Sequence, residues 1–152
     1  MDKTKELIII GGGPAGITAA VYAARKRIDF CIITKDVGGQ AALSGDIENY
    51  TGYQFISGPD LVAKFREHLE SYHFEIQEGV EATGVTRDAE DFSVATAGGQ
   101  QMRARTLVVA TGKKPRSLGV PGEERLRGRG VTYCATCDAP LYPGKMVAVI
   151  GG

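Results

Sequence analysis

The sequence carries no net charge: lysine plus arginine and aspartate plus glutamate each number 18. No field therefore draws the chain to nucleic acid or to an anionic membrane, and a small molecule or a protein is the expected partner. Long apolar runs are also missing, and none approaches the roughly 18 residues of a membrane span. The start, MDKTKELIII, lacks the basic region and small-residue cleavage site of a signal peptide, so a cytoplasmic protein is expected. Cysteine is scarce. The three present, Cys31, Cys134 and Cys137, make a poor disulfide framework for a secreted fold, because only two of them lie close together. Cys31, inside the apolar run DFCIIT, reads as a buried strand residue that packs as a small hydrophobe. His68 and His73 have no cysteine or carboxylate constellation around them, and no metal site is expected.

Glycine, by contrast, is abundant: 21 in 152 residues, against a usual share of about 7%. That length accommodates one domain with a real core, or a domain and a fragment. Leu7 to Ile10 form an uninterrupted apolar run, as in a strand buried on both faces of a parallel sheet. The alanine-rich AGITAAVYAARKR follows and ends in three cations that suit the negative end of a helix dipole. DFCIIT restores the strand pattern, so residues 5–34 predict a β-α-β unit. The glycine-rich stretch from Lys35 to Gly58 is longer than an ordinary connection and is expected to line a site. SGPDLVAKFREHLESY predicts a helix, with Ser57 three residues before Asp60 as a capping-box start and Leu61, Phe65, Leu69 and Tyr72 at helical spacing. From FEIQ onward, short alternating runs separated by RDAED and AGGQ predict an antiparallel meander, with Thr106 to Ala110 rejoining the parallel sheet. KMVAVIGG, at the end, reads as a second apolar strand ending in two glycines, which begins the same β-turn-α figure again.

Gly11, Gly13 and Gly16 spell G-x-G-x-x-G directly between a strand and a helix. The first glycine permits a tight turn, the second lets backbone approach a pyrophosphate, and the third allows the helix to pack closely on the strand. Free N–H groups at the helix start then meet the phosphate charge, so a dinucleotide is expected. The acidic residue that would hold its ribose should stand at the end of the second strand, where Thr34 is found; Asp36 could serve instead, or be a solvated turn residue.

Cys134 and Cys137 form C-x-x-C with Asp138 directly behind. Structural zinc wants four ligands and finds no second cysteine pair or C/H cluster here. Two unreacted thiols near a turn, and a redox disulfide able to exchange through a mixed disulfide, are the other readings. Asp138 beside the pair suits proton transfer to a thiol, and also suits the start of a helix.

Taken together, GGGPAGITAAVYAAR, GGQ, IENYTG, ATGKKPRSLGVPGE and YCATCD, in that order over nearly the whole chain, resemble the low-molecular-weight thioredoxin reductases, FAD-dependent pyridine nucleotide-disulfide oxidoreductases. The resemblance implies that FAD sits on Gly11, Gly13, Pro14, Ala15 and Gly16, with Gly38, Gly39, Gln40 and Asn49 along it. It implies that Ala110, Thr111 and Gly112 cover the cofactor, and Thr34 is carried as a cofactor residue although wider flavoproteins have glutamate there. It further implies that Cys137 faces the flavin, that Cys134 attacks the disulfide of a thioredoxin-like partner, and that Asp138 is acid and base for the thiols. The expected fold is α/β: a Rossmann-like parallel sheet with a small antiparallel meander. Residues 1–114 would be the N-terminal part of an FAD-binding domain. Residues 115–152 would hold a linker, the C-x-x-C loop and the first strand of a truncated NADPH-binding domain. NADPH is the expected donor of the full-length protein, a homodimer roughly twice as long, and its site is absent from this chain. A catalytically incomplete FAD-binding fragment, or a reductase serving a peroxiredoxin or ferredoxin system, are the alternatives.

Overall fold

The computed structural model describes residues 4–151, apart from the side chains of Thr136 and Cys137. The chain forms two compact units, Met1–Gly112 and Lys113–Gly152. No helix among the described residues is long and apolar enough to cross a membrane.

In the first unit, β1 (Lys5–Gly12) leads through Gly13 into α1 (Pro14–Arg25) and on to β2 (Phe30–Val37), which pairs in parallel with β1. Pro14, whose missing N–H costs nothing at a helix start, opens α1. The helix ends where Arg27 turns to φ +57 and Ile28 N–H bonds back to the Ala23 carbonyl. A short 3-10 turn (Gly39–Leu43) and a two-stranded ribbon of β3 (Asp46–Ile47) and β4 (Ile56–Ser57) fill the glycine-rich stretch. α2 (Gly58–Glu70) follows, capped as its sequence predicts: Ser57 Oγ accepts from Asp60 N–H at 3.2 Å and donates to Asp60 Oδ2 at 2.5 Å. β5 (Glu75–Glu78), β6 (Ala82–Arg87), β7 (Phe92–Thr96) and β8 (Gln101–Val109) complete one six-stranded sheet in the order β5-β2-β1-β8-β7-β6. The FEIQ run is not part of the antiparallel meander as its alternation predicts: β5 pairs in parallel with β2 at the opposite edge, because it follows the crossover through α2.

The apolar run of β1 divides by alternation, as side chains on a strand must. Leu7 and Ile9 face α1 and α2, meeting Ile17, Ala20, Ala23 and Leu69. Ile8 and Ile10 face the opposite side with Cys31 and Ile33, where Val94, Met102 and Ala104 of β7 and β8 pack against them. Each fully buried isoleucine contributes about 1.5–3 kcal/mol relative to exposure, which explains why the buried runs Leu7–Ile10 of β1 and Phe30–Ile33 of β2 hold no polar residue. The meander and the returning parallel strand prove to be continuous. β8 alternates through Met102 and Ala104 while antiparallel to β7, and runs on as Leu107 and Val108 while parallel to β1.

The second unit has α3 (Glu123–Leu126), α4 (Ala135–Asp138) and a 3-10 turn at Ala139–Leu141. The strand expected over KMVAVI does not form: residues 145–150 have no regular structure, with Met146 fully exposed and Val149 85% exposed. A strand has no internal hydrogen bonds, and no described segment pairs with this one.

Burial gives one directly testable consequence. The Cys31 thiol is pushed up to about 12, chiefly by desolvation and secondarily by the negative charge of Glu75. Iodoacetamide at pH 8 is expected to leave Cys31 unmodified in the folded protein and to label it fully in guanidinium; native labelling at the rate of a free thiol would contradict its place in the core.

Candidate functional site

The C-terminal end of β1 brings three backbone segments closer together than side chains would permit. Gly11 has φ +111, and a Cβ on it would stand 2.3 Å from the Ala110 carbonyl oxygen. A Cβ on Gly16 would stand 1.9 Å from the Gly11 oxygen, so α1 rests directly on the turn that precedes it. Gly12 is equally constrained, because its Cβ would meet Asp36 O at 2.6 Å and Thr34 Oγ1 at 2.7 Å. Gly13 is the exception: its Cβ would touch nothing within 4 Å. The one open position sits at the N-cap of α1, where no side chain caps the helix and no acidic residue occupies the first turn. Unsatisfied N–H groups and the positive end of the helix dipole thus face free space, which suits a phosphate.

Thr34 holds this turn from below. Its buried hydroxyl accepts from Gly12 N–H at 2.8 Å and donates to the Asp36 carbonyl at 2.6 Å. The hydroxyl is therefore engaged in shaping the loop, a role its position as a ribose-binding candidate did not suggest. Asp36, the other acidic candidate, turns its Oδ1 to the Gly39 N–H at 2.9 Å. Gly38 N–H donates to the Gly12 carbonyl at 2.8 Å, and a Cβ on Gly39 would lie 3.3 Å from Gly13 Cα. The structure thus gathers Gly11, Gly13, Gly16, Thr34, Gly39, Ala110 and Thr111 at one end of the sheet. Pro14 and Ala15 form the first turn of α1, and Gly112 continues from β8 in open space. Gln40 is exposed on the 3-10 turn, and Asn49 is exposed between β3 and β4 without a side-chain hydrogen bond among the described residues.

Two features escape a reading of the sequence. Gly12 is constrained as Gly11 and Gly16 are, and the signal is simply a run of three consecutive glycines. A surface cavity of about 550 Å³ lies beside the end of β2, lined by Lys35, the Gly79–Glu81 turn and the Thr96–Gln100 turn. Gly79 and Gly98 flag those turns, but nothing in their spacing flags a cavity.

In the second unit Glu123 is buried and gathers four donors. Oε1 accepts from Leu118 N–H at 2.9 Å and from the Tyr133 hydroxyl, and Oε2 accepts from Ser117 Oγ at 2.8 Å and Gly119 N–H at 2.7 Å. The Tyr133 hydroxyl first, then the Leu118 N–H, lowers the Glu123 carboxyl from 4.5 to about 2. Arg127 lies over the Tyr133 ring at 5.0 Å. Tyr133 is next to Cys134, which is held in a disulfide. Asp138 N–H donates to the Cys134 carbonyl at 3.0 Å. The side chain of Cys137 lies outside the described residues. Among the described residues no group of three or more His, Cys, Asp or Glu is arranged to hold a metal ion.

The profile of the family described as "Pyridine nucleotide-disulphide oxidoreductase" matches residues 5–152. The chain is 41% identical to the thioredoxin reductase of Bacillus subtilis (strain 168), across 99% of this chain and 48% of that protein. It is 42% identical to an alkyl hydroperoxide reductase component of Pseudomonas putida, across 97% of this chain and 29% of that protein. Among solved structures, thioredoxin reductase from Streptococcus pyogenes MGAS5005 superposes with a TM-score of 0.83 at 42% identity, covering 93% of this chain and 46% of that one. The chain spans about half the length of the thioredoxin reductases it matches.

The glycine geometry separates two substitutions. Gly16→Ala forces backbone apart and is expected to destabilise the first unit by about 3 kcal/mol, whereas Gly13→Ala is expected to cost about 1 kcal/mol or less; urea unfolding of both variants decides, and equal costs would refute the packing described. Glu123 sets a pH window. Its lowered value means that its contribution is complete above about 4.5 and is lost as pH falls toward about 2. The Leu118 and Gly119 amide resonances are expected to shift together with a midpoint near pH 2, and Glu123→Gln to abolish that transition; a midpoint near 4.5 would show an unpaired carboxyl.

Proposed function

Since the chain belongs to the pyridine nucleotide-disulphide oxidoreductase family, we propose that it is the N-terminal portion of a thioredoxin reductase-type flavoprotein that carries electrons from NADPH to the disulfide of a thioredoxin-like partner. The observation that carries this reading is the coexistence of an open glycine cradle at Gly13 and a disulfide at Cys134 in one chain. The cradle fits a dinucleotide: its closed positions shape the turn, and its one open position adjoins the uncapped helix start. Gly11, Gly13, Pro14, Ala15 and Gly16 would hold the pyrophosphate of FAD, with Thr34, Gly39, Gln40, Asn49, Ala110, Thr111 and Gly112 completing the site. When bound, FAD supplies the two-electron chemistry that links a nicotinamide donor to a disulfide.

This chain's own residues then do three things. The α1 N-terminus offsets the charge of a bound phosphate. Cys134 and Cys137 form the exchangeable disulfide, Cys134 being the thiol that reaches the partner. Asp138 gives and takes the proton that thiol and thiolate exchange. The NADPH site and the dimer partner surface belong to the full-length protein in this reading, whose setting is the cytoplasm. The 42% identity to an alkyl hydroperoxide reductase component supports one second reading, in which the partner's disulfide belongs to a peroxiredoxin system.

The purified chain is expected to quench FAD fluorescence on titration, and Gly13→Val to weaken that binding at least tenfold. Cys134→Ser is expected to leave FAD binding unchanged while abolishing disulfide exchange with a thioredoxin-like protein. A wild-type chain that leaves FAD fluorescence unaltered would remove the cofactor from this proposal.

A further inference from the structure

We infer that Thr132 is a positioning residue for the Cys134 disulfide: its hydroxyl ties the Asp138 carboxylate to the backbone of the residue that carries the reacting sulfur. The inference rests on the proposed role of Asp138 as proton donor and acceptor. Three hydrogen bonds close a ring. Cys134 N–H donates to Thr132 Oγ1 at 3.2 Å, the Thr132 hydroxyl donates to Asp138 Oδ2, and Asp138 N–H donates to the Cys134 carbonyl at 3.0 Å. Asp138 is thereby fastened twice, by its backbone to the Cys134 carbonyl and by one carboxylate oxygen to Thr132. Its other oxygen, Oδ1, makes no hydrogen bond among the described residues, which leaves it available for a proton.

One hydroxyl oxygen does both jobs here: it accepts from an amide and donates to a carboxylate at once, which serine and threonine can do and valine cannot. The bond to Asp138 is charge-assisted and therefore directional. The ring itself is anchored on its outer side, because Tyr133, between Thr132 and Cys134, donates its hydroxyl to the buried Glu123.

The chemistry the ring serves balances without further reagents. A thiol of an external dithiol gives its proton to the Asp138 carboxylate as its sulfur attacks one sulfur of the disulfide; the S–S bond breaks, and the new bond is a mixed disulfide. The departing sulfur leaves with the electron pair and takes that proton from Asp138, which is again a carboxylate held by Thr132. The reverse direction moves the same proton the other way. Thr132 exchanges no proton with either partner. It keeps the carboxylate tied to the Cys134 backbone, and losing it costs rate through misplacement of Asp138.

The oxidised 152-residue chain, with dithiothreitol as the dithiol and released thiol as the signal, tests this from pH 6 to 9. Asp138→Asn is expected to slow opening of the disulfide, and Thr132→Val to slow it about tenfold, with Thr132→Ser within twofold of wild type. The double variant Thr132→Val/Asp138→Asn should be no slower than Asp138→Asn alone, because both lesions remove the same group. If Asp138→Asn is slow and Thr132→Val is as fast as wild type, the inference falls while the role of Asp138 stands. Wild-type rates for Asp138→Asn remove the proton role itself. Multiplying effects, or a serine that fails to rescue, would show that Thr132 merely caps the backbone.

Discussion

The contact of Gly16 with the Gly11 carbonyl, at a distance that would place a Cβ 1.9 Å from the oxygen, is the constraint on which the first unit depends. It lets α1 begin immediately above β1 and aims the helix axis at the end of the sheet. Ala110 can then close against Gly11, and Gly38 against the Gly12 carbonyl at 2.8 Å. Thr34 completes the arrangement by satisfying the Gly12 N–H that the turn would otherwise leave without a partner. A helix N-terminus held this rigidly has its unsatisfied N–H groups aligned before any ligand arrives, so little ordering is required when one binds.

The second unit is organised on different physics. It has little apolar material to bury, and Leu118, Val120 and Leu126 remain substantially exposed. The buried Glu123 replaces a core. Four donors from residues 117–119 and 133 converge on one carboxylate, which is a strong arrangement because both oxygens are used twice. The consequence reaches the chemistry: Tyr133 is one of those donors, and the next residue is the disulfide cysteine.

Much of this was legible before any coordinates. The β-α-β unit, the SGPD cap and the buried Cys31 all follow from local pattern, because each depends on residues within a few turns of one another. The merging of meander and parallel sheet in β8 was half legible. Alternation in MRAR and a continuous run in TLVVA were both visible, but that one strand changes partner at Ala104 is a matter of register, and Ala104 pairs with both Phe92 and Lys5. KMVAVI shows the limit of pattern from the other side. Its composition is that of a strand, yet a strand exists only by pairing, and nothing described pairs with it.

Within the candidate site the division is the same. The sequence by itself determined the G-x-G-x-x-G spacing, where the helix after it starts and that two cysteines stand two residues apart, since those are read directly along the chain. Tertiary structure alone decided what Thr34, Glu123 and Thr132 do. Each is a polar side chain whose meaning lies in its hydrogen-bond partners, and the Gly12 amide that Thr34 receives is 22 residues away along the chain. Periodicity records which face of an element is buried; it holds no record of which hydroxyl or carboxylate a distant amide will find once the chain has closed.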